Sequence, residues 1–525
     1  MRPIFYAATA ALIATGLAAG AQAQTPQKGG SAIFALAQDP TGVNPDTSSN
    51  LPDRQVGCII YPGLVTVSPD YSPAPALAKT WSISPDGLTY TLNLVTTKWH
   101  DGQPFTSEDV KYTLLEVSSK FSSIFSDAGK AIDKIETPAP DKVVITLKQS
   151  YGPFMLALSC ITGASPLPAH LFRGTDPLKN AATLTTPVGT GAFKLKEWKR
   201  GDYVKLEKNT GYFEPGKPHL DEVIAKIIPQ SSARLQALNA GEIDYLPTPP
   251  SSDRAAIEAN PKLKTETSDI APSFILALLN NSNKPLNDKR VRKALLVATD
   301  RDFILKNASF NLGTVGTAPF PTNLAWLANP DIDYSKTYAF DYAKANAMLD
   351  EAGFKREANG KRFGIRIAVF ANQYLDLQQT AIAMKSMWQN VGIDVTVEQL
   401  EDATLLKKVY QDRDYDIHLT PYTTYADPAF GIARAYVSAT MGRSYGNPTG
   451  YATKEIDDLF EKGARATSRD DRAKYYREVQ VLIAEEMPSL TLRQYRQFDG
   501  STKRLRGLWN VAIGNGAWAD AWLEK

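Results

Sequence analysis

The sequence predicts an α/β fold. Segments with a two-residue apolar period alternate along the chain with segments of helical period. In one stretch strand, helix, glycine and strand follow one another at the spacing of a right-handed βαβ unit. Composition agrees: 43% hydrophobic and 22% charged residues are ordinary for a globular protein and exclude a disordered or fibrous chain.

Residues 1–23 carry one basic residue, Arg2, then an Ala-rich apolar run from Ile4 to Ala21. Ala21-Gln22-Ala23 fits the small-x-small cleavage rule, so the expected mature chain starts at Gln24 and is exported, with no lipid anchor. Nothing later approaches the roughly 20 apolar residues that a membrane span needs. Trp81 and Ile83, a Ser-Pro-Asp-Gly turn at 84–87, and alternating Leu88, Tyr90, Leu92 and Leu94 predict a β-hairpin. Thr106 followed by Asp109 predicts a capped helix start, continued by Val110, Leu114, Val117 and Phe121. The βαβ unit comes from Ile365, Ile367 and Val369, then the helical stripe Leu377, Ala381, Met384, Trp388 and Val391, a stop at Gly392, and Ile393, Val395 and Val397. Met384 and Trp388 are read as core. Further helices are expected ahead of Gly353, over 376–391 and over about 470–486.

At 525 residues, about three domains are expected. Lys and Arg number 58 against 56 Asp and Glu, a net charge of +2 that gives no electrostatic case for nucleic acid or anionic membrane as partner. Two cysteines exclude a disulfide framework and a cysteine-built zinc site. Cys58 and Cys160, 102 positions apart in an oxidising compartment, are expected to be bridged; two separately buried thiols are the other reading.

No catalytic set emerges. The four histidines (His100, His170, His219 and His418) include no i, i+4 pair and no H-E-x-x-H. Asp412-x-Asp414-x-Asp416 has Ile417 where a calcium loop needs Gly and Thr423 where it needs Glu, so it reads as a solvated turn. Gly442-Arg443-Ser444-Tyr445-Gly446 matches a nucleophile elbow in letters, but Asn447-Pro448 follows and no histidine comes later. Gly189-Thr190-Gly191 lacks the rest of a nucleotide loop. No catalytic residue, metal or cofactor is expected.

Several segments resemble the extracytoplasmic solute-binding proteins of ABC importers, in particular the large peptide/nickel-binding class (family 5). They are Trp99-His100-Asp101-Gly102-Gln103-Pro104-Phe105-Thr106-Ser107-Glu108-Asp109-Val110; Gly189-Thr190-Gly191-Ala192-Phe193 with Glu197-Trp198 and Gly201-Asp202; and Gly241-Glu242-Ile243-Asp244. Asn280, Pro285, Asp288 and Val291-Arg292-Lys293-Ala294 follow, then Asp341 through Ala352-Gly353, and Ile456-Asp457. The resemblance implies a two-lobed periplasmic-binding-protein fold of type II, in the large three-domain class. The first domain would comprise 24–61, 187–271 and 495–525, the second 62–186, and the third, as the second lobe, 272–494. The implied function is a monomeric periplasmic component that captures a small ligand (peptide, sugar or conjugate) and delivers it to an ABC permease of the inner membrane. A secreted hydrolase and a periplasmic chaperone are the competing classes. His100, Asp101, Gly102, Gly189 and Gly191 are read as scaffold, the glycines supplying backbone freedom.

The resemblance also locates a cleft. Peptide-binding members hold the ligand's amine with an Asp three residues before an acidic-Pro pair; here Asp427-Pro428 matches the pair and Thr424 occupies the Asp position. The loop at 370–374 lacks the Arg of dipeptide binders. The expected contacts are Asn50, Phe121, Asn372, Gln373, Tyr422, Thr423, Thr424, Tyr425, Asp427 and Tyr495. Aromatic faces with amides and hydroxyls suit a neutral or only partly charged polar organic ligand.

Overall fold

A computed structural model describes residues 25–48, 50–122, 124–371, 374–425, 427–509 and 517–525, with the backbone alone at 268–272. The export signal and Ala23 lie outside the described residues, as do Asn372 and Gln373.

Lobe one begins with β1 (Ser31–Leu36) and α1 (Leu51–Ile60). Then come β2 (Ala78–Ile83), β3 (Thr89–Leu94), β4 (Ile132–Ala139) and β5 (Lys142–Leu147), an antiparallel sheet in the order β2-β3-β5-β4. β2 and β3 are the expected hairpin, with Gly87 at φ 69° closing its turn and Tyr90, Leu92 and Leu94 buried on one face.

α2 (Ser107–Tyr112) starts with a capping box between Thr106 and Asp109. The same Asp109 carboxylate accepts from the Trp99 indole at 3.3 Å and from the Ala169 backbone at 2.9 Å, so it ties three segments together. The expected single helix to Phe121 instead widens into a π-helical stretch at Thr113–Ser118. Thr113 Oγ1 donates back to the Asp109 carbonyl at 2.8 Å and Ser119 Oγ to that of Leu114 at 2.5 Å. These hydroxyls compete with the regular ladder.

The chain returns to β1 through β6 (Phe193–Lys199), β7 (Tyr203–Lys208), β8 (Glu222–Ile227) and β9 (Tyr245–Leu246). β10 (Leu263–Leu279) carries it across to lobe two, which contains α3 (Tyr342–Glu351), β11 (Phe363–Phe370), α4 (Leu375–Gln389) and β12 (Ile393–Leu400). β13 (Ile417–Thr423), α5 (Lys454–Arg465) and α6 (Arg469–Glu486) follow, and β14 (Ser489–Thr502) runs back. Among the described residues these strands form one sheet, β12-β11-β13-β10-β14-β9-β1-β8-β7-β6, with Thr314–Val315 also paired to β14.

β11 and β12 are parallel, from Phe363 opposite Ile393 to Phe370 opposite Leu400. The five-residue stripe of α4 and its continuation, through Val391, is buried, and the Trp388 indole donates to Thr299 Oγ1 at 3.0 Å. Gly392 takes φ 84°, a conformation that an L side chain rarely adopts, and so ends the helix.

Among the described residues only β10 and β14 pass from one lobe to the other as continuous strands. They pair as Leu263–Ser268 against 497–502 and again as Ser273–Leu278 against 489–495, with a register shift between. The boundaries expected at 271/272 and 494/495 fall inside these two strands. The lobes also touch at their far rims. The Gly152 N–H donates to the Ala464 carbonyl at 2.7 Å, Ser150 Oγ to that of Arg465 at 2.6 Å, and Arg469 Nη2 to that of Tyr71 at 3.0 Å. Phe430 of lobe two buries itself in the apolar core of the 62–186 region, with its ring edge-on to Tyr151.

Cys58 in α1 and Cys160 are bridged, with Cα atoms 5.9 Å apart. The Gly-Thr-Gly loop packs beside them. Gly189 and Gly191 do not need positive φ; a Cβ on either would collide with the Ile60 or Ile59 carbonyl at the end of α1. Close approach, not backbone freedom, therefore requires these glycines. His100 clamps the loop, accepting from the Gly189 N–H at 3.2 Å and donating to the Gly191 carbonyl at 3.0 Å. Burial lowers its pKa to about 4, which keeps the ring neutral in this role.

Candidate functional site

β13 delivers the lobe-two wall. Tyr422, its sixth residue, is buried and its hydroxyl donates to the Gly446 carbonyl at 2.7 Å. That engagement makes Tyr422 part of the wall's interior rather than an open hydroxyl as expected. Thr423 Oγ1 lies 3.0 Å from Ser273 Oγ on the neighbouring crossing strand. Thr424 is 0% exposed, and its Oγ1 has no hydrogen-bond partner.

Tyr425 takes φ 49°, and this left-handed turn sends its half-buried ring across to pack on the core of the 62–186 region. Asp427 is a correction. It caps the following turn by accepting from the Ala429 N–H at 3.0 Å, and it holds Arg472 of α6 with both oxygens at 2.6 and 2.7 Å. The two side chains are 2% and 5% exposed, so the acidic residue of the Asp-Pro pair is an internal strut of lobe two, with no oxygen left for a ligand.

Tyr495 stands on β14 opposite Ser273, with the Arg493 guanidinium 5.1 Å from its ring centre. Arg493 is itself buried and paired with Asp376 at the start of α4. A cation thus lies at the start of α4, already neutralised. Tyr374 leads into α4 with φ 52° and stays 36% exposed, yet surrounding protein and the phenols of Tyr495, Tyr445 and Tyr425 push its pKa up. Tyr425, Tyr445 and Tyr495 thus lie close enough to Tyr374 to act on its hydroxyl.

The lobe-one wall is the start of α1. Asn50 precedes it, its amide 3.2 Å from Gln38 Nε2 and 3.4 Å from Asp53 Oδ1. Phe121 is 37% exposed at the end of its helical segment. One turn into α1, burial lowers the Arg54 pKa while the Tyr425 phenol and the Asp46 carboxylate act against it. Arg54 and Tyr425 thus act on each other electrostatically across the lobe boundary. On lobe two, the half-buried Arg434 lies over the Tyr422 ring at 5.0 Å and the Tyr425 ring at 5.9 Å. Sequence reading missed both arginines, and the expected neutral cleft is not neutral. Neither lies in a recognisable motif; only the fold brings them to Tyr425.

Asp46 accepts from Ser118 Oγ at 2.6 Å and from the Ser165 N–H at 2.9 Å, but burial outweighs these and raises its pKa to about 7. Between about pH 4 and about pH 7 the folded chain keeps a proton that the unfolded chain releases, so this group makes stability fall as pH rises through that window. Asp46→Asn should remove that slope. Melting curves at stepped pH check this: parallel pH profiles for the two proteins would refute the assignment.

Among the described residues no three His, Cys, Asp or Glu side chains gather as metal ligands, and no helix is long and apolar enough to cross a membrane. Asp414 and Asp416 pair with Arg366, and Asp412 with Lys407.

Two lobes joined by a pair of crossing strands are an architecture suited to closing on a molecule held between them. A profile of the family described as "Bacterial extracellular solute-binding proteins, family 5 Middle" matches residues 72–443, and the chain belongs to this family. The oligopeptide-binding protein AppA of Bacillus subtilis is 27% identical over 502 residues, covering 92% of this chain and 90% of that one. Its structure with a nonapeptide superimposes with a TM-score of 0.79 at 26% identity, covering 95% of this chain and all of the other. The ABC transporter substrate-binding protein CtaP of Listeria monocytogenes gives a TM-score of 0.82 at 27% identity, with coverage of 95% and 100%. A putative ABC transporter peptide-binding protein of Brucella ovis is 34% identical over 342 residues, 64% of this chain and 62% of that one.

Proposed function

We propose that this chain is the periplasmic, non-catalytic ligand-capturing component of an ABC importer. It closes two lobes around a small peptide-like or other polar organic molecule and offers the closed form to a membrane permease. The observation that carries this reading is Tyr425. It belongs to lobe two, packs on lobe one, follows Thr424 in the chain and lies close enough to Tyr374 to act on its phenol. Closure and occupation of the gap therefore involve the same residue. Oligopeptide binding by AppA and the ABC-transporter names of the CtaP and Brucella relatives support the transport role.

Native mass spectrometry of gently purified protein should find a small molecule bound in the gap, and small-angle scattering should show compaction when that molecule is returned to stripped protein. Phe430→Ala should weaken that binding by about tenfold or more, because Phe430 is buried against lobe one only when the lobes meet. Binding without compaction, or an unchanged affinity in Phe430→Ala, would refute closure as the capture step.

A further inference from the structure

We propose that Arg434 is an anion anchor in the gap between the lobes, and that the natural ligand presents a carboxylate or similar oxyanion to it. This rests on the reading of that gap as the ligand site.

The buried arginines of lobe two each hold a carboxylate or a set of carbonyls. Arg472 holds Asp427, and Arg493 holds Asp376. Arg292 donates to the carbonyls of Leu286, Glu486 and Met487, and Arg301 to those of Gly316, Tyr334 and Tyr338. Arg434 differs. Its Nε–H donates to the Gly431 carbonyl at 3.3 Å, and among the described residues no carboxylate lies within ion-pair distance and no acceptor faces its two Nη groups. Aromatic faces hold it in place without neutralising it, through the Tyr422 and Tyr425 rings.

Three further observations place the charge where a ligand would meet it. Tyr425, under the guanidinium, is the ring that reaches lobe one. Arg54 of lobe one acts electrostatically on the same phenol. Thr424, next to Tyr425 in the chain, carries a buried hydroxyl with no hydrogen-bond partner. A guanidinium with both Nη groups open matches a carboxylate in two parallel hydrogen bonds, and low water access strengthens them. A neutral ligand would leave this cation crowded and unpaired on closure.

Titration calorimetry on stripped protein, with matched probe pairs, tests this. The probes are a tripeptide and its C-terminal amide, a hexuronic acid and its hexuronamide, and an N-acetyl amino acid and its amide. In every pair that binds, the acid should bind about tenfold or more tightly than the amide, and Arg434→Gln should bring the two within about threefold. Arg434→Lys, which keeps the charge over the rings, should retain part of the preference. If the amides bind as tightly as the acids, or if Arg434→Gln keeps the preference, the anchor is overturned and the solute-binding reading stands. If no member of any pair binds, the anchor is overturned as well, and the solute-binding reading stands on the family assignment.

Discussion

Replacing Cys58 and Cys160 together by alanine should destabilise lobe one by about 4–5 kcal/mol, the chain-entropy value for a closed loop of this size. The bridge spans 102 positions and ties α1 to the segment that starts at Cys160, so it fastens the region around the central sheet to the 62–186 region. Packing around it is tight: a Cβ on Gly63 would lie 2.6 Å from the Cys160 nitrogen. The loss should therefore fall on lobe one and spare lobe two, whose βαβ core lies elsewhere. Tryptophans report the two lobes separately, with Trp99 and Trp518 in the cores of lobe one and Trp388 in that of lobe two. Urea unfolding of single-tryptophan versions should show the Trp99 transition moving to lower urea in the double variant, and the Trp388 transition staying in place. Reduction of the unmodified protein should reproduce the shift. Coincident curves for the bridged and bridgeless proteins would show that the staple contributes no stability.

Much of this architecture was legible because local period and long-range packing agree. The stripe Leu377, Ala381, Met384, Trp388 and Val391 is buried in the structure at the face its spacing defines, and Gly392 ends the helix through its backbone angle. Thr106 and Asp109 form the capping box that their spacing announces. Where side chains bond back to their own helix, at Thr113 and Ser119, period alone does not foresee a π-helical stretch. The scaffold role of Gly189 and Gly191 was legible, but its cause was not. Steric exclusion by the carbonyls of Ile59 and Ile60 is a tertiary fact.

The gap was harder to read for the same reason. Thr423, Thr424 and Tyr425 lie together because they are consecutive, and Tyr495 lies near them because β14 pairs with Ser273. Arg54 and Arg434 are 380 positions apart in the sequence, and only the meeting of two lobes brings both to Tyr425. Arg434, with no carboxylate partner among the described residues, has no sequence mark. What distinguishes it is the absence of a nearby carboxylate in space. Asp427 shows the converse, since the residue that satisfies it sits 45 positions later on α6.

That pair gives the second large effect. Arg472→Ala should destabilise lobe two by about 3–5 kcal/mol, because it strands the Asp427 carboxylate in a site that is almost closed to water. Arg472 also donates to the Gly463 carbonyl at 2.8 Å and to Tyr476 Oη at 3.2 Å, so α5 and α6 lose a shared clamp. Asp427→Asn keeps the cap to Ala429 but leaves Arg472 uncompensated, and should cost a similar amount. Replacing both, Asp427→Asn with Arg472→Met, should recover much of the loss, since neither charge is then stranded. Denaturant unfolding of the single and double variants, followed through Trp388, measures the coupling. The same proteins separate structure from recognition. If Asp427 held the ligand, Asp427→Asn would abolish binding while leaving the melt almost unchanged. The geometry requires the opposite: a lowered melt, and, in the fraction still folded, affinity for the co-purified ligand within about threefold of the parent. Loss of binding with full stability would return Asp427 to the ligand site and remove the strut from this account.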